Sequence, residues 1–221
     1  MYNKYLKYKI KFHKLNNEFI NKYLTELKNM YSNCKHDSGN NYKLYEGNTI
    51  TYGEMTYEGI DKLNAYVNKN NDFRYFMDIG SGRGKLSLYM RGMPRIIKSY
   101  GIELVKERYD DSIKLKNDLA KKFDYYTNDV EFINNDLFKI SIKDLIDSKV
   151  FIWMSNLCFD TSINDNIFKK LYDELPKDSI ICCSKKPSVD IEKLFRINTD
   201  LKEIAIPMSW SDSSNVYIYI K

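Results

Sequence analysis

RYFMDIGSGRGK, residues 74–85, decides the fold. The apolar run RYFMDI (74–79) reads as a strand, Gly80, Gly82 and Gly84 as the turn that ends it, and Lys85 to Met93 as a helix. Glycines there permit positive φ and let backbone approach a ligand without a Cβ in the way. A helix starting at once offers free N–H groups. Alone, G-x-G-x-G says little, because glycine turns after strands are common. Its surroundings carry the argument.

Downstream, SYGIEL (99–104) is a second strand, and Glu103 closes it 23 residues beyond Gly80. An acid at that place can accept hydrogen bonds from both hydroxyls of a ribose. Val105, Tyr109, Ile113, Leu119 and Phe123 mark the next helix, and VEFIN (130–134) and VFIWM (150–154) are further strands. Ile163, Ile167, Leu171 and Leu175 form a helical stripe stopped by Pro176. SIICCS (179–184), LKEIAIPM (201–208) and NVYIYI (215–220) complete seven strands. Strand–helix alternation followed by two helix-free strands predicts a mostly parallel sheet with an antiparallel strand near its end. This α/β, Rossmann-like arrangement suits a class I methyltransferase. A dehydrogenase ordinarily needs a second, substrate domain that 221 residues cannot hold.

Upstream, Phe12, Leu15, Phe19, Tyr23, Leu27 and Met30 recur at spacings of three and four, an amphipathic helix with lysines on its other face. SNCKHDSGNN (32–41) reads as a loop. The chain therefore divides into a basic helical extension, residues 1–46, and a methyltransferase domain, residues 47–221. The extension holds nine lysines against four acids, whereas the remainder balances at 26 against 26. Such an arm implies an anionic partner, or else a solvated helix face; the two readings weigh equally.

With 43 % apolar and 29 % charged residues the chain has the composition of a globular protein. No run approaches the ~18 apolar residues of a membrane span. The lysine-rich start has no apolar core of a secretory signal, so an intracellular protein is expected. Cys34, Cys158, Cys182 and Cys183 show no C-x-x-C spacing and read as reduced, mostly buried thiols, with no metal site.

Two features choose between nucleotide cofactors. Asp78, inside the first turn, would repel a pyrophosphate but suits the ammonium of S-adenosyl-L-methionine. Asp136 and Leu137, after the third strand, fit the amine and the ring of adenine, although Asp136 alone could be an ordinary strand-end residue. The fourth strand ends in Ser155-Asn156-Leu157-Cys158-Phe159. In amine methylation a hydroxyl or amide can hold the nucleophile while aromatic walls exclude water and disfavour the ammonium form. Asn156 and Phe159 have the spacing of the asparagine-x-x-aromatic motif of amino-group methyltransferases, without its two prolines.

Tyr52-Gly53-Glu54, DIGSGRGK, GIEL, SNLCF, SIICCSKKP and SWSDSSNVYIY together resemble the disruptor-of-telomeric-silencing histone lysine methyltransferases, over roughly three quarters of the chain. The resemblance implies a non-SET enzyme that transfers methyl from S-adenosyl-L-methionine to a lysine on the histone H3 core, leaving S-adenosyl-L-homocysteine. It implies that Tyr52, Gly53 and Glu54 form a loop over the methionine end of the cofactor. Asp78, Gly80, Ser81, Gly82, Gly84, Lys85, Glu103, Asp136 and Leu137 would complete the cofactor site. Ser155, Asn156, Phe159, Trp210 and Tyr217 would line a narrow lysine channel, although periodicity alone makes Trp210 and Tyr217 ordinary packing between the last two strands. Departures are Ser155 where the family has asparagine, Met55 in place of threonine, and Lys85 in place of glutamine. Expected partners are the nucleosome and, through the basic arm, its DNA; a monomer in the nucleus, or in a cytoplasmic factory if viral, follows. Amino-methylation of nucleic acid or glutamine, and a non-catalytic chromatin-binding module, are the alternatives.

Overall fold

The computed structural model of the chain describes residues 2–33, 44–45, 48–49, 53–68, 72–196 and 203–221, with side chains from residue 16 onward except in the strands 44–45 and 48–49. Helix α1 (Tyr2–Ser32) leads, followed by a small antiparallel pair, β1 (Leu44–Tyr45) and β2 (Asn48–Thr49), and by α2 (Tyr57–Val67). Next come β3 (Tyr75–Ile79), α3 (Lys85–Arg91), β4 (Lys98–Glu103), α4 (Lys106–Thr127), β5 (Val130–Asn134) and β6 (Val150–Met154). The chain ends with α5 (Thr161–Glu174), β7 (Ile180–Cys183), α6 (Val189–Glu192), β8 (Glu203–Met208) and β9 (Ser211–Ile220). None of the described helices is long and apolar enough to cross a membrane.

Seven strands form one sheet in the order β5-β4-β3-β6-β7-β9-β8. The pairs β3–β4, β3–β6, β4–β5 and β6–β7 are parallel, and β9 runs antiparallel to both β7 and β8. This is the sheet expected from the sequence, with its reversed strand second from one edge. Chain order changes direction at β3, whose neighbours β4 and β6 receive crossovers from opposite sides. A crevice outside the carboxyl ends of the strands opens at such a point.

Two apolar layers cover the sheet. One holds residues of α1 to α4, among them Tyr23, Leu27, Leu63, Leu88 and Leu119, and the other holds Ile167, Phe168 and Leu171 of α5 with Tyr219. Helix α2 follows from its sequence: Thr56 caps it by accepting from Gly59 N at 3.0 Å, and Ile60, Leu63 and Val67 recur on the buried side. Helix α1 begins ten residues before the expected start, and its buried stripe is Ile20, Tyr23, Leu27 and Tyr31. Phe19 lies 44 % exposed at its margin, edge-on to Phe123, and Phe12 and Leu15 fall outside the described side chains. Tyr23 donates its hydroxyl to Leu88 O at 2.7 Å, and Gly92 lets α1 approach, since a Cβ there would meet Leu24 at 2.7 Å. Burial of Leu27 alone contributes about 2 kcal/mol. The basic extension thus shares the core of the domain behind it.

Candidate functional site

The loop after β3 takes its shape from backbone that only glycine adopts readily. Gly80, Gly82 and Gly84 have φ of 78°, 54° and 80°. Gly80 N and Ser81 N both donate to Ile102 O, at 2.8 and 3.0 Å, so the loop is laced to β4. Gly84 faces the interior, where a Cβ would meet Phe132 at 2.4 Å, whereas a Cβ on Gly80 would meet nothing within 4 Å. The open side of Gly80 is the floor of a cavity of about 420 Å³.

Of the five carboxylates that line that cavity, Glu103, Asp78 and Glu54 stand at the glycine-loop end. Glu103 Oε2 accepts from Gly82 N at 2.7 Å and Oε1 from Val105 N at 2.8 Å. Burial pushes its carboxyl above the ordinary range, and the two amides pull it back. Each oxygen keeps a further lone pair for a hydroxyl from the cavity. Asp78 is fully buried, and burial lifts its carboxyl well above the usual carboxylate range; Glu103 and Glu54 raise it further and Lys85 opposes them. Glu54 is held from three sides. Its carbonyl accepts from Ser209 N at 2.7 Å, its amide donates to Ser209 Oγ at 3.0 Å, and its Oε2 accepts from Lys85 Nζ at 2.7 Å. Its Oε1 accepts from the Tyr31 hydroxyl of α1.

Farther along, Asp136 caps the short 3-10 turn Leu137–Lys139 by accepting from Phe138 N at 2.9 Å, and Leu137 and Phe138 join it on the wall. At the β6 end the wall consists of Trp153, Ser155, Cys158, Phe159 and Asp160. Alternation along β6 turns Trp153 and Ser155 to one side.

Most of the expected residues converge here. Gly53, Glu54, Asp78, Gly80, Ser81, Gly82, Lys85, Glu103, Asp136, Leu137, Ser155 and Phe159 all line the cavity, the Ser81 hydroxyl being buried without a hydrogen-bond partner among the described residues. Tyr52 lies outside the described residues. Gly84 supports the loop from beneath. Asn156, Trp210 and Tyr217 do not line the cavity. The fully buried Asn156 side chain turns inward instead: Nδ2 donates to Asn164 Oδ1 at 2.6 Å and Lys185 O at 2.8 Å, and Oδ1 accepts from Ser184 N and Lys185 N, both at 2.9 Å. Trp210 lies on the Gly53 backbone, and Tyr217 packs in the α5-side layer with Lys186 Nζ 4.7 Å from its ring centroid.

Residues not expected at the site include Trp153, Cys158, Asp160 and Arg108. Cys158 is exposed, unlike Cys182 and Cys183, whose thiols burial pushes up. Cys34 lies outside the described residues. The two-residue alternation from Trp153 to Ser155 was the one signal that pointed to any of the four.

A family model described as histone methylation protein DOT1 matches residues 16–212. Among solved structures, the chain is similar to M. capricolum TrmK in complex with S-adenosyl-homocysteine, at 15 % identity over 72 % of this chain and 67 % of that one, TM-score 0.50. It is also similar to magnesium protoporphyrin IX methyltransferase from Synechocystis PCC 6803 with bound S-adenosylmethionine, at 16 % identity over 73 % and 77 %, TM-score 0.51. A protein in the NADB-Rossmann superfamily from Streptococcus agalactiae shares 15 % identity over 75 % and 68 %, TM-score 0.53. At these identities the likeness is one of fold. No curated protein matches the chain in sequence.

Proposed function

The chain belongs to the DOT1 histone methylation family, and from that premise we propose that it is an S-adenosylmethionine-dependent protein-lysine N-methyltransferase acting on the histone H3 core in nucleosomes. The observation that carries this reading is the convergence of Asp78, Glu103 and Glu54 on one cavity beside a glycine loop. Three carboxylates set against the ammonium of Lys85 make the low-dielectric crevice receptive to a cation.

The residues fit the cofactor. Glu103 offers both oxygens to a ribose, Asp136 an acceptor for the adenine amine, and Leu137 an apolar face for its ring. Asp78 and Glu54 face the place of the methionine ammonium, whose arrival would offset the penalty that burial sets on the ionised Asp78 carboxylate. Gly80 supplies the close approach. When bound, S-adenosylmethionine supplies a methyl group on a positive sulfur. What the chain adds is position and dryness. Phe159 and Trp153 shut out water and disfavour the charged form of an entering amine, and the Ser155 hydroxyl is a polar group placed to orient it. Trp210 serves by holding Gly53 and Glu54 in place.

The basic arm, residues 1–46, is the natural contact for nucleosomal DNA, and the working place is then chromatin, in the nucleus or in a viral factory. Methylation of a nucleic-acid amino group or a glutamine amide through an asparagine-x-x-aromatic loop is less well supported, because four hydrogen bonds already occupy the Asn156 amide. The test offers labelled S-adenosylmethionine with intact nucleosomes, free histones, DNA and RNA in separate reactions. Label on nucleosomal histone H3 is expected. Label on nucleic acid alone would replace the lysine reading, and retained DNA binding without cofactor binding would leave a non-catalytic module.

A further inference from the structure

The end of the cavity assigned above to the amino-acid tail is braced from behind by the N-terminal helix. Glu54 bridges two partners from different parts of the chain, Lys85 at the start of α3 and Tyr31 in the last turn of α1. Lys85 is 8 % exposed, and its ammonium lies 5.2 Å from the Tyr31 ring centroid and 5.3 Å from that of Tyr57. Lys28, one turn back along α1, lies 5.1 and 5.4 Å from the rings of Tyr57 and Tyr89. Glu54 and Lys85 face the cavity, whereas Tyr31 stands behind them.

We propose that Tyr31 is a positioning residue for the amino-acid tail of the cofactor, acting through a Glu54–Lys85 pair that reads the tail's two opposite charges. The inference rests on the cofactor reading above. A tail carrying an ammonium and a carboxylate needs an acid and a base side by side. Lys85 is the side-chain ammonium paired with an acid at this end, and Asp78 with Glu54 supplies the acids. The free pair satisfies itself at 2.7 Å; a zwitterionic tail can take up the same two charges in alternation, ammonium to carboxylate and carboxylate to ammonium. For that exchange Glu54 must keep its place when Lys85 turns to the tail. The Tyr31 hydroxyl on the other oxygen, with a ring that also faces Lys85, provides the anchor. Docking of α1 and occupation of the cavity are then coupled, each favouring the other by the same factor.

The experiment titrates the full chain with two ligands, S-adenosylhomocysteine and 5′-methylthioadenosine, which keeps the nucleoside but has no amino-acid tail. Tyr31→Phe, which removes one oxygen and keeps the ring, is expected to weaken S-adenosylhomocysteine about tenfold and to leave methylthioadenosine within about twofold. Lys85→Gln is expected to show the same selectivity. Saturating S-adenosylhomocysteine, but not methylthioadenosine, should slow amide exchange in the last turns of α1. If Tyr31→Phe folds poorly, Glu54→Gln carries the same comparison. Equal losses for both ligands, or none for either, would overturn the positioning role while leaving the cofactor reading intact. Failure of the unaltered chain to bind either ligand would bring down both.

Discussion

Gly53 lies directly under the indole of Trp210: a Cβ on this glycine would stand 2.5 Å from both Cε3 and Cζ3 of the ring. The contact keeps the Gly53–Met55 segment on the β8–β9 turn, where Ser209 brackets Glu54 and Met55 bridges to Met208. Gly53→Ala should push the ring or the segment aside and weaken S-adenosylhomocysteine roughly tenfold. Adding Trp210→Ala to it should bring no further loss beyond that of Trp210→Ala alone. Fully additive losses in this double-mutant cycle would show that the two residues act separately.

Asp78→Asn is expected to move stability and binding in opposite directions. Because the folded chain raises the Asp78 carboxyl, the native state binds the proton more tightly than the unfolded one, and the unaltered protein loses stability as the pH rises through that window. The amide variant escapes the loss. Its melting temperature should exceed that of the parent by a few degrees near pH 8, with the gap closing as the pH falls toward about 4, the ordinary carboxylate value. Affinity for S-adenosylhomocysteine should collapse in the same variant. The parent should bind more tightly with rising pH and release protons on binding, which calorimetry in buffers of different ionisation enthalpy reads directly.

Glu103→Gln tests the ribose assignment more sharply than alanine. Each carboxylate oxygen already accepts a backbone N–H, so an amide must aim its NH2 at Gly82 N or Val105 N. Loss of S-adenosylhomocysteine binding by about a hundredfold or more is expected, and methylthioadenosine should suffer equally because it shares the ribose. A selective loss of one ligand would move Glu103 away from the sugar.

Asn156→Ala should behave as a stability variant. Removing the amide strands Ser184 N, Lys185 N and the Asn164 side chain, at a cost of about 3 kcal/mol and a melting-point drop of roughly 6–12 °C. At temperatures where the variant stays folded, its affinity for S-adenosylhomocysteine should stay near that of the parent. A silent melting curve with lost methyl transfer would return Asn156 to the substrate.

Replacing Lys4, Lys7, Lys9, Lys11 and Lys14 by glutamine should flatten the salt dependence of nucleosome binding, by nearly one power of salt concentration for each phosphate no longer neutralised. Affinity for S-adenosylhomocysteine should not change. An unaltered salt slope would remove DNA as the partner of the arm.

Most strands of the sheet were legible because they are short apolar runs with polar or glycine flanks, whereas the polar first half of β9, from Ser211, carries no such signal and lay outside the expected strand 215–220. Asp78, Glu103 and Asp136 were legible as neighbours because they lie at or beside strand ends that the sheet brings together. Helix α2 was not expected, although its Thr56 cap and the spacing of Ile60, Leu63 and Val67 are present in the sequence. Its register shows once Met55 and Thr56 are seen to hang on Met208 and Pro207 O. Asn156 illustrates a different obstacle. Its motif places an amide after a strand, but the direction of the amide is decided by backbone at 184 and 185, which local spacing does not encode. The Tyr31–Glu54–Lys85 chain joins residues 23 and 31 positions apart, all of types common on surfaces, and no periodicity announces it.

Helix α1 sends Tyr23, Leu27 and Tyr31 into the layer beneath α3. A fragment trimmed to the domain behind it would therefore carry an open greasy trough and a slackened nucleotide crevice together, and would be expected to clump before it could be assayed. If the arm meets a polyanion and the cavity holds the methyl donor, as proposed, one continuous helix joins the first to the brace behind the second, and a tug on one would be felt by the other.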